Sequence, residues 1–144
     1  MQVKLFLNKI REVDRLIDCK LEEITRLRSV MDGVGSPSLG DKVQTSATSD
    51  RLTNVIARII ELEDAINNDI DELIALKIKA KNIIEKIDDD ILKVILYKRY
   101  FQNKTFEQIS VECNYGWRHT HRLHSKALQE LSKVVIESHI EIVI

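Results

Sequence analysis

Proline and glycine are scarce in this chain, with one proline and four glycines in 144 residues. Folds made of short strands and tight turns draw on both for the backbone angles that turns demand, so a β-rich or loop-rich scaffold is excluded. Two cysteines, Cys19 and Cys113, are too few for a disulfide-stapled secreted domain, and they read as free thiols in a reducing cytoplasm. No apolar run approaches the roughly 20 residues that cross a bilayer, and no leader pattern opens the chain, so no membrane partner is expected. There is no glycine-rich phosphate loop and no nucleophile with a base beside it. Neither catalysis nor a cofactor is expected.

What the chain has is charge and helical periodicity. Charged residues make up 31%, and the net charge of −1 by itself points to no nucleic acid. The distribution says more: residues 51–90 hold 6 Lys and Arg against 10 Asp and Glu, whereas residues 91–133 hold 8 against 3. A phosphate backbone would meet the basic segment first.

Residues 3–31 repeat with a heptad, Val3, Ile10, Ile17, Ile24 and Met31 in one row and Phe6, Val13 and Leu27 in its companion. This is a coiled-coil seam, broken once by Lys20, whose stem is expected to snorkel past apolar neighbours. Residues 32–50 hold the only proline and three of the four glycines, have no period, and are expected to form a mobile loop, with Ser49 or Asp50 capping the next helix. Residues 51–87 form a second long helix, with Leu52, Ile59, Ile66, Leu73, Ala80 and Ile87 in one row and Val55, Leu62, Leu76 and Ile83 in the other, interrupted by Asp69. At 1.5 Å per residue such a rod is roughly 55 Å long and needs a partner along its length. The first helix folded back antiparallel is one partner, and a second copy of the chain is the other. A homodimer through residues 3–87 is therefore expected.

Asp88, Asp89 and Asp90 point in different directions on a helix, so they suit a helix N-terminus better than a cation site. A short helix comes next over 91–101, with Ile91, Leu92, Ile95, Leu96 and Tyr100 inward. Six of the seven aromatic residues fall between 97 and 117, where a small trihelical unit needs bulky side chains. Thr105 and Gln108 have capping-box spacing, and Asn114 suits the left-handed residue that ends a helix. From Gly116 a second helix carries Thr120, Leu123, Ala127, Leu128 and Leu131 inward, leaving Arg118, Arg122, Ser125, Lys126 and Gln129 outward. The spacing thus predicts an all-α protein: a long antiparallel helical hairpin, coiled-coil-like, over 1–90, a three-helix helix-turn-helix unit over 91–136, and an apolar tail over 137–144.

The stretch Leu96–Leu131 resembles region four of bacterial sigma factors, with Arg99-Tyr100 ending one helix and Lys126-Ala127-Leu128 late in the recognition helix. Tyr115-Gly-Trp-Arg-His-Thr-His-Arg-Leu-His124 is similar to the ArpU and RinA type of phage late transcriptional regulators, and a looser likeness extends back to residue 40. Three positions depart from the pattern: Ser110 stands where alanine is usual, Asn114 where glycine is frequent, and Gly116 where serine caps. The resemblance implies a sequence-specific binder of double-stranded DNA that regulates phage late genes in the bacterial host cytoplasm, with host RNA polymerase as a further partner. Arg118 and Arg122 are the expected base readers, since a guanidinium fork matches the guanine edge. Trp117 and His121 are secondary base contacts, although the helical wheel also allows Trp117 to pack. Lys104, Thr105, His119, Ser125 and Lys126 are expected at phosphates.

A metal site is not expected. Among the nearby histidines only His121 and His124 have helical ligand spacing, and no second pair completes a tetrahedron. Two rival functions remain: a small terminase subunit that binds phage DNA for packaging, which predicts a ring, and a coiled-coil interaction protein without DNA, which predicts no steep salt dependence.

Overall fold

The structure, a computed structural model, describes residues 2–34 and 45–142. All its regular elements are helical: α1 (Gln2–Val34), α2 (Thr45–Ile84), α3 (Asp90–Leu96), which runs into a π-helical turn at Tyr97–Phe101, α4 (Phe106–Cys113) and α5 (Trp117–Glu137). The long helices α1 and α2 pair antiparallel and are followed by three short packed helices. Both ends of the expected 32–50 loop are helical, and its middle, residues 35–44, lies outside the described residues. Ser49 and Asp50 are therefore interior to α2 rather than caps, and the Ser49 carbonyl accepts the Thr53 hydroxyl at 2.9 Å.

By their contacts the residues fall into two units, Asp14–Asp71 and the combination of Met1–Val13 with Glu72–Ile144. In the first, Ile17 and Ile24 of α1 and Ile59, Leu62 and Ile66 of α2 are buried along one seam. The two polar interruptions of the seam, Lys20 and Asp69, form an ion pair with each other. Lys20 does not simply snorkel. Its side chain is 27% exposed and that of Asp69 19%, so the pair lies between the surface and buried regimes. Asp69→Leu alone is expected to cost about 1 kcal/mol by leaving a half-buried ammonium unpaired, and Lys20→Leu with Asp69→Leu to recover it. Urea melts of the single and double variants read this directly, and an equal loss in both would show that the pair has no mutual dependence.

In the second unit one core gathers Val3, Phe6, Leu7 and Ile10 of α1, Ala80, Ile83 and Ile84 of α2, Leu92, Leu96 and Tyr100, and Ala127 and Leu131 of α5. The boundary expected at residue 90 thus does not coincide with a break in packing. Ile140 and Ile142 of the tail pack partly buried against the same core.

Local sequence explains the short helices. Asp89 caps α3, its Oδ1 accepting the Ile91 amide at 3.0 Å, so one member of the acidic triplet is a helix cap. Leu92, Ile95, Leu96 and Tyr100 are buried as their spacing predicts, but Ile91, about 100° around the helix from Leu92, is 45% exposed. At Tyr97–Phe101 the helix takes in one extra residue, with the Gln102 amide bonded to the Tyr97 carbonyl at 3.0 Å. The capping box of α4 is complete in both directions, Gln108 N to Thr105 Oγ1 at 3.2 Å and Thr105 N to Gln108 Oε1 at 2.9 Å. Asn114 ends α4 at φ 55° and ψ 40°, the left-handed conformation that asparagine tolerates.

Candidate nucleic-acid interface

The turn between α4 and α5 is held by buried hydroxyls. Ser110 Oγ lies 2.9 Å from Thr120 Oγ1 and 2.8 Å from the Phe106 carbonyl, and Thr120 Oγ1 lies 3.1 Å from the Gly116 carbonyl. Alanine at position 110 would remove that link. The serine fixes how α5 leaves the turn.

Thr120, His124, Ala127 and Leu131 form the buried row of α5, with Leu123 and Leu128 half-buried beside it. Arg118, His119, Arg122, Ser125, Lys126 and Gln129 are exposed. Arg118, Arg122 and Lys126 follow one another at four-residue steps, so they share a face and rise about 6 Å each. Their side chains take no hydrogen bond or ion pair among the described residues.

The other cations of the 91–133 segment are engaged. Lys98 and Lys104 both pair with Glu112, whose carboxyl is held below the usual carboxylate range by Lys104 first and Lys98 second. Lys93 faces Glu85 at 3.8 Å and Asp90 at 3.7 Å, and Lys133 meets Glu130 at 3.1 Å. The Arg99 guanidinium lies 4.2 Å from the Phe106 ring centre and donates to the Lys104 carbonyl. Lys104 and Thr105, expected at phosphates, are thus occupied by Glu112 and by the α4 cap.

A column of flat groups supports the first turn of α5. Beyond Arg99 and Phe106 comes the His121 ring, 4.1 Å from Phe106, and then Trp117, 4.0 Å from His121. His121 Nε2 is buried in this column and has no hydrogen-bond partner. His121 is therefore a spacer between rings and is poorly placed for the base contact expected of it. Trp117 at the end of the column is 53% exposed, and its indole N–H donates to Glu107 Oε1 at 3.3 Å. It packs by one face and presents the other. The Glu107 carboxyl is held low by its own backbone N–H first and by the indole second. His119 turns its ring edge-on to Tyr115 at 5.1 Å.

His124 does not pair with His121 as a ligand. It sits in the core with Nε2 2.8 Å from the Tyr100 hydroxyl. Burial first, then the charges of Arg99, Lys4 and His121, push its pKa down to about 4, and burial pushes Tyr100 up to about 12. With the histidine neutral and the phenol protonated, one hydrogen bond joins the Tyr100 hydroxyl to Nε2, and the imidazole tautomer sets its direction. Among the described residues no three of His, Cys, Asp and Glu converge as a metal site would require. The spacing of His124 with Thr120, Ala127 and Leu131 places it on the inward row, and its polarity conceals that signal. Comparison with family models, curated proteins and solved structures finds no match for this chain.

Proposed function

We propose that the chain is a sequence-specific binder of double-stranded DNA, with α5 lying in the major groove and Arg118 and Arg122 reading base edges. The observation that supports this most directly is the row Arg118, Arg122 and Lys126: three cations on one exposed face, without partners among the described residues, in a segment where the remaining cations have them. An unpaired row of this kind is suited to phosphates and guanine edges. Lys126, Ser125 and His119 would position the helix on the backbone. Trp117, carried on its aromatic column, would lie over the sugar-phosphate edge. The resemblance of 96–131 to sigma region four and to phage late regulators supports transcription regulation as the role. Phe6 is the only aromatic residue before Tyr97, so the upstream helices offer no platform to capture unstacked bases, and recruitment of polymerase fits better than promoter melting.

Selection of bound sequences from a random duplex pool tests the reading. Arg118→Ala and Arg122→Ala should each lose about 1–3 kcal/mol against the preferred site and relax preference at one position. Lys126→Ala should weaken all duplexes alike and lower the salt slope by about one ion. If sequence preference survives both arginine changes, the base-reader assignment is wrong; if the unaltered chain binds no duplex, the function is.

A further inference from the structure

α2 is a single helix from Thr45 to Ile84, and one of its faces is apolar without being buried. Ile56, Ile60, Ile70, Ile74 and Ile78 are between 38% and 58% exposed, and Leu52 is half-buried. At about 100° per residue they share a stripe about 80° wide with Glu63 and Asn67, turned about 90° from the buried row of Ile59, Leu62 and Ile66. Branched apolar side chains repeated along one exposed stripe favour contact with another surface.

The order of residues within the stripe identifies that surface. Counted outward from Ala65, Glu63, Ile60, Ile56 and Leu52 in one direction answer to Asn67, Ile70, Ile74 and Ile78 in the other. The stripe has the same character read from either end. That is the requirement for an isologous two-fold contact, in which residue i meets j and j meets i. We propose that this stripe joins two copies of the chain, with their α2 helices antiparallel and crossing at Ala65. Ile60 of each copy then packs on Ile70 of the other and Ile56 on Ile74, while Leu52 and Ile78 close the two ends. At the centre the Glu63 carboxylate of one copy accepts from the Asn67 amide of the other. Glu63 also holds Arg28 of its own chain at 3.0 Å, which offsets its charge near the two-fold axis. A parallel pairing would instead set Glu63 against Glu63, an unfavourable like-charge contact. The expectation of a homodimer through residues 3–87 narrows to one face and one register, and it stands independently of whether α5 reads DNA.

Sedimentation equilibrium of the full chain provides the test. The unaltered protein should be a dimer, and Ile60→Glu should weaken dimerisation by about a hundredfold, since a carboxylate is then desolvated against Ile70. Ile60→Glu with Ile70→Lys places glutamate opposite lysine twice in each dimer and should restore association. Ile60→Glu with Ile74→Lys carries the same two charges in the wrong register and should not. Because the two double variants share composition and both alter exposed positions, a general loss of folding affects them alike, and only the proposed register separates them. A monomeric or ring-forming unaltered chain, a dimer indifferent to Ile60→Glu, failure of both double variants, or equal recovery in both would overturn the proposal.

Discussion

Phe6→Ala should cost about 3–5 kcal/mol of stability and, with it, the fold of the three short helices at the other end of the sequence, which carry the proposed DNA-binding face. Phe6 is 2% exposed in the core that also holds Leu92, Leu96, Tyr100, Ala127 and Leu131. Removing its ring leaves a cavity between the start of α1 and the helices that carry α5, and packed interiors close such cavities only in part. A head folding independently from residue 91 would be indifferent to this change. The fragment 91–144 should for the same reason lack a stable fold, because Val3, Phe6, Leu7, Ile10, Ala80, Ile83 and Ile84 cover its inner face. Chemical denaturation followed by far-ultraviolet dichroism measures the first expectation, and amide dispersion in the fragment's NMR spectrum measures the second. A well-dispersed spectrum from the isolated fragment would show that the shared core is dispensable.

Acidification should destabilise the protein through His124, by about 2 kcal/mol at pH 5 and about 3 kcal/mol in full. The folded imidazole titrates at about 4 against an ordinary value of 6.5, so between those values the unfolded chain binds a proton that the folded chain refuses. The stabilising contribution is complete above pH 6.5, declines as pH falls toward 4, and changes no further below that. The carboxyls of Glu85, Glu107 and Glu112, each held low in the folded chain, add their own losses only below the ordinary carboxylate value of 4.5, which leaves the interval from 6.5 to 5 to the histidine. His124→Gln should flatten the stability profile in that interval whatever its effect at neutral pH. Parallel slopes for the two proteins between pH 7 and pH 5 would show that His124 titrates normally in the folded state.

Features set by neighbours in the chain were legible from the residues alone. The Thr105–Gln108 box, the left-handed Asn114, the start of α5 after Gly116 and the buried run of Thr120, Ala127 and Leu131 all follow from local hydrogen bonding and a 3.6-residue period. The unpaired row on α5 was equally visible as a pattern. That its neighbours Lys98 and Lys104 are drawn off by Glu112 was not, since this depends on how α4 packs against the π turn. Lys20 and Asp69 each read as a solitary fault in a seam, and only the antiparallel register makes them one feature. Proline and glycine at 32–50 suggested a longer break than the helices leave, since α1 runs to Val34 and α2 starts at Thr45. Sharing of the core by the first turns of α1 and the last helix had no sequence signal at all. It joins positions more than a hundred residues apart, and periodicity reports which face is apolar without reporting what covers it.

Trp117 is the only tryptophan in the chain, and it caps the column built on Arg99, Phe106 and His121 at the first turn of α5. The intrinsic indole emission of the whole protein therefore comes from a single half-exposed ring beside Arg118. Its wavelength and quenching by iodide or acrylamide follow occupancy of that turn in the unlabelled molecule, with no background from a second fluorophore of its kind to subtract.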